Sequence, residues 1–66
     1  MKIFCTAIVP EPQQMDNLSQ CVEIIGAVPD VRGDTIYVDY QGEREVAMKL
    51  MELFQQYPVH GISTLS

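Results

Sequence analysis

Three kinds of side chain in this sequence could do chemistry. Cys5 and Cys21 offer thiols, His60 is the single imidazole, and Asp30, Asp34, Asp39, Glu43 and Glu45 supply carboxylates. A thiol nucleophile needs a base within hydrogen-bond reach and a third group to orient that base. A carboxylate metal site needs several oxygens converging from one loop at set spacing. The aspartates of AVPDVRGDTIYVDYQG run D-x-x-x-D-x-x-x-x-D, which does not converge. Asp34 falls in a Gly-Asp step and the glutamates open a helical run, both places where acids serve the backbone. The expectation is solvated or structural acids, no metal and no cofactor. Cys5, Cys21 and His60 define the alternative, a small enzyme or enzyme subunit, although no orienting third residue is evident.

The elements that must position these groups follow from periodicity. Lys2 to Val9 is rich in Ile, Phe, Val and Thr and stops at Pro10. It predicts a strand with Ile3, Cys5, Ala7 and Val9 on one face and Phe4, Thr6 and Ile8 on the other. In PEPQQMDNLSQCVEIIG the apolar residues Met15, Leu18, Cys21, Val22 and Ile25 recur at steps of three and four, which predicts a helix with Cys21 facing inward, as Cys5 does from the first strand. Pro12 suits its first turn and Gly26 the left-handed position past its end.

Gly33-Asp34 between two β-prone runs predicts a two-residue hairpin with a type II′ turn. That loop length fixes the register: Arg32 faces Thr35, Val31 faces Ile36, Asp30 faces Tyr37, Pro29 faces Val38 and Val28 faces Asp39. Ala27, Pro29, Val31, Ile36, Val38 and Tyr40 then share a face. Pro29 also falls where its nitrogen points away from the partner, so its strand must be an edge. EREVAMKLMELFQQY predicts a second helix with Val46, Leu50, Leu53, Phe54 and Tyr57 on its stripe, Ala47 and Met51 beside it, and Glu43 and Glu45 in its first turn. Pro58 ends it, and VHGISTLS predicts a last strand.

Strand, helix, strand, strand, helix, strand is most economically an α+β two-layer, ferredoxin-like βαββαβ sandwich: a four-stranded antiparallel sheet, first and third strands central, with both helices on one face. The alternative is a three-stranded βαβαβ fold in which the segment around Pro29 is loop. All 66 residues are expected to form one small domain, whose few kcal/mol of stability would gain from association.

Composition narrows the function classes. Nine acidic residues against four scattered basic ones give a formal charge of −5, which argues against nucleic acid and anionic membrane surfaces. The segment MKIFCTAIVP lacks the build of a signal peptide, and two cysteines are too few for a disulfide framework, so a cytoplasmic location is expected.

Domains of this topology with known chemistry carry signatures that the chain lacks. Small heavy-metal chaperones place Cys-x-x-Cys after the first strand, where this chain reads VPEPQQ. RNA-recognition domains carry a basic, glycine-aromatic octapeptide, where this chain reads TIYVDYQG. Acylphosphatases need an arginine in the first loop. VPEPQQMDNL resembles, at the level of fold, the loop-to-helix step of amino-acid-binding regulatory domains, without their glycine-containing ligand loop.

What remains is the sheet face away from the helices. Phe4, Ile8, Val28 and Tyr37, with Ile62 a possible addition, would form an apolar patch there. The expected function is therefore a small cytosolic binding or interaction module without catalysis, associating with itself as a homodimer or with another protein.

Overall fold

The computed structural model describes residues 1–65. Its elements are β1 (Lys2–Ile8), α1 (Pro12–Ile25), β2 (Pro29–Arg32), β3 (Thr35–Gln41), α2 (Arg44–Gln55) and β4 (His60–Leu65). They form one antiparallel sheet in the order β2-β3-β1-β4, with two helices, the α+β ferredoxin-like arrangement. The central strands are the expected ones, and β2 is a true strand, so the three-stranded alternative does not apply.

The hairpin pairs Arg32 with Thr35, Val31 with Ile36, Asp30 with Tyr37 and Pro29 with Val38. Gly33 has φ +62°, while among the described residues no non-glycine has positive φ. That combination fits a type II′ turn and rules out type I′, which needs positive φ at Asp34 as well.

The core lies between the helices and one sheet face. Ile3, Cys5, Ala7, Ile36 and Val38 come from the central strands, and Met15, Leu18, Val22, Ala47, Leu50 and Phe54 from the helices. Val9 continues this face just beyond β1, its amide bonded to the Asp34 carbonyl at 2.7 Å. Pro12 opens α1, and Gly26 closes it at φ 115°. In α2 the buried line runs through Ala47, Leu50 and Phe54, with Val46, Met51, Leu53 and Tyr57 half-buried beside it. The stripe is thus turned slightly from the expected one, with Ala47 in the buried line and Val46 and Leu53 on its shoulder.

Glu43 precedes the first turn of α2, leaving Glu45 as its acid, and Glu43 makes no side-chain cap. The Tyr40 hydroxyl instead accepts a hydrogen bond from the Glu43 amide at 3.1 Å. Gly42 permits this, since a Cβ there would lie 2.5 Å from Tyr40 Oη and 2.9 Å from Cζ. Gly42→Ala should therefore displace the Tyr40 ring and cost about 1–2 kcal/mol of stability by denaturant titration. In a Tyr40→Phe background, where the hydroxyl is already gone, the cost should shrink.

Candidate functional site

The ladder sorts the side chains of the open face. Lys2, Phe4, Thr6 and Ile8 of β1 alternate with the buried residues and stand opposite Gln41, Asp39, Tyr37 and Thr35 of β3. β2 adds Asp30 and Arg32, and β4 adds Gly61, Ser63 and Leu65. Phe4 and Tyr37 are diagonal neighbours. Their ring centroids are 6.2 Å apart at an interplanar angle of 60°, an edge-to-face contact of the favourable kind. The contact does not bury them: Phe4 stays 39% exposed, Tyr37 37%, Ile8 42% and Val28 81%.

A depression of about 360 Å³ lies over this pair, lined also by Val28, Asp30, Arg32 and Asp39. Arg32 and Asp30 pair at 3.2 Å while both stay largely in water, so their bond orients the rim and contributes little stability. A neighbouring hollow of about 420 Å³ lies beside Ile8, Tyr37 and Gly61. Gly61 leaves that hollow open opposite Thr6, whose methyl would lie 3.1 Å from any added Cβ.

Charge is unevenly divided. The open face carries Lys2 and Arg32 against Asp30 and Asp39, for no net charge. The helices, their flanks and the turn hold Arg44 and Lys49 against the other seven acids, which accounts for the whole −5. The apolar face is thus the neutral face.

Ile62 does not belong to this surface. It stands opposite Cys5 and packs against the core on the helix side. Leu65, 64% exposed, takes the open side of β4. Sequence reasoning missed both Leu65 and the hollow at Gly61, because only the pairing of β4 with β1 fixes which way its side chains point.

The alternative catalytic residues are placed in unlike surroundings. Cys5 is fully buried, and burial pushes its thiol up to about 11. Such a thiol is almost wholly protonated at neutral pH and is a poor nucleophile. Cys21 is exposed, contrary to the inward position expected for it. It precedes buried Val22 by one residue, which on a helix is a turn of about 100° off the centre of the stripe. His60 is exposed, and its Nδ1–H donates to the Tyr57 carbonyl at 2.6 Å. Tyr57 is itself raised above the usual phenol range, first by burial and then by its electrostatic interaction with Cys21.

Among the described residues no three His, Cys, Asp or Glu side chains gather as metal ligands, and no helix is long and apolar enough to cross a membrane. The surface so defined belongs to a small α+β sandwich with one covered and one open sheet face. The chain matches no family model, no curated protein and no solved structure.

Proposed function

We propose that this chain is a small cytosolic protein-interaction module without catalytic activity of its own, which docks through the open face of its sheet. One observation carries the reading: Phe4 and Tyr37 remain more than a third exposed at the centre of a neutral face whose flanks carry Ile8 and Val28. Aromatic side chains over a shallow depression, rimmed by a few charges, have the composition of an interface core. The acidic helices would point away from whatever docks there. Two free cysteines, one of them exposed, suit a reducing compartment, where an exposed thiol does not cross-link.

Association should appear in sedimentation velocity as a concentration-dependent species and in amide spectra as shifts at Phe4, Thr6 and Tyr37. Tyr37→Asp places a charge at the centre of the patch and should cost about 2 kcal/mol of binding, roughly thirtyfold in Kd. A strict monomer at high concentration, with wild type and Tyr37→Asp behaving identically, would remove the basis for the reading.

A further inference from the structure

The two edges of the sheet are guarded unequally. In β2, Arg32 and Asp30 face Thr35 and Tyr37 as hydrogen-bonded pairs, which leaves Val31 and Pro29 pointing outward. Pro29 has no N–H, and Asp30 and Arg32 add charge along the same strand. A strand arriving at that edge finds one backbone donor. Natural edges are blunted in this way.

β4 has none of these guards. The Ile8 amide donates to the Val59 carbonyl at 3.1 Å, so Ile8 and Val59 form a hydrogen-bonded pair. Counting along the antiparallel register from there, Gly61, Ser63 and Leu65 bond to β1, while the N–H and C=O groups of His60, Ile62 and Thr64 point outward. From His60 to Leu65 there is no proline and no Asp, Glu, Lys or Arg.

We infer that this edge pairs with β4 of a second copy of the chain, antiparallel, about a two-fold axis at Ile62. That register sets Ile62 opposite Ile62 of the second copy and His60 opposite Thr64. Every residue so matched has its backbone groups facing outward, and three pairs, roughly six N–H···O=C bonds, close at once. On the helix side the half-buried Ile62 gains its own counterpart as an apolar cross-strand neighbour. On the open side the small Gly61 meets Ser63, so nothing bulky opposes the approach. Two chains of charge −5 would thus meet along a strand that bears no charged side chain. The product is one continuous sheet of eight strands, with the two open faces on the same side. This surface is separate from the Phe4–Tyr37 patch and stands or falls independently of it.

Sedimentation equilibrium combined with hydrogen exchange separates the two. The amides of His60, Ile62 and Thr64 should exchange freely in dilute solution and become protected as concentration rises. Thr64→Pro removes one outward donor and sets a ring in the path of the second strand, so Kd should rise at least about tenfold. Thr64→Val keeps the donor and should pair like wild type. The inference is overturned if these three amides stay unprotected at millimolar concentration. It is overturned equally if they become protected only when an unrelated extended peptide is added, or if a dimer survives Thr64→Pro and is lost in Tyr37→Asp. The exchange experiment on wild type needs no variant, so misfolding of Thr64→Pro leaves the test intact.

Discussion

Phe54→Ala is expected to leave most of the chain unfolded under conditions where wild type is native. Phe54 is the largest of the fully buried side chains. It lies in the last turns of α2, the helix that packs against β1 and β4. Truncating a buried phenylalanine removes its transfer free energy and leaves a cavity, at a combined cost of about 3–5 kcal/mol. A chain of this length has a total stability of only about 3–10 kcal/mol. In a larger domain the same change would lower the melting temperature and little more, but here it consumes most of the margin. Loss of far-ultraviolet helical signal and of amide dispersion at ambient temperature would be the readout. Phe54→Leu, which restores most of the volume, should recover a cooperative transition. Full cooperative folding of Phe54→Ala would mean that the helix layer can close over the gap, and that the core is less tightly specified than its burial implies.

The small number of large buried side chains also explains which parts of the structure were legible in the sequence. β1 and α2 declare themselves because alternation and the 3.6-residue period each place apolar residues on one side with little ambiguity. The hairpin is legible because a two-residue loop leaves one register, and Pro29 then has one tolerable position, at an edge.

Periodicity fails where a residue sits on the shoulder of a stripe. Cys21 has the spacing of a core residue, yet its neighbour Val22 takes the buried place. Ile62 fails for a different reason. In HGISTL the two large apolar residues, Ile62 and Leu65, are three apart and must lie on opposite faces of a strand, so the segment itself does not say which faces inward. Only its pairing with β1 decides, by setting Ile62 beside Cys5. The open patch was legible in part for the same cause: Phe4, Ile8 and Tyr37 follow from β1 and β3, whereas the hollow beside Gly61 exists only once β4 is docked. The type of partner is carried by how charge and backbone edges are arranged in space, and no single motif holds it.

The two thiols should behave as differently as their surroundings. In native protein an alkylating reagent should modify one cysteine per chain quickly, at Cys21, and leave Cys5 untouched until the chain opens. The reagent attacks the thiolate, and a Cys5 thiol pushed up to about 11 supplies very little of it near neutrality, with no path for the reagent besides. The slow modification of Cys5 then becomes a measure of opening, and in Phe54→Ala it should approach the rate of Cys21.

The same shift carries a dependence on pH whose sign is fixed. The folded thiol titrates above its ordinary value of 9.0, so the native state holds the proton where the unfolded chain has released it. The stabilisation is complete below about pH 9 and is lost as pH rises from 9 towards 11, since the unfolded state binds fewer protons throughout that window. Tyr57, raised in the same direction, steepens the loss at the alkaline end. Denaturant midpoints measured from pH 8 to 11 should fall continuously for wild type. They should fall less for Cys5→Ala, which begins from a lower stability and retains only the tyrosine contribution. Equal alkaline slopes in the two proteins, or rapid alkylation of both cysteines in the native state, would place Cys5 in contact with water and undo the account of the core given above.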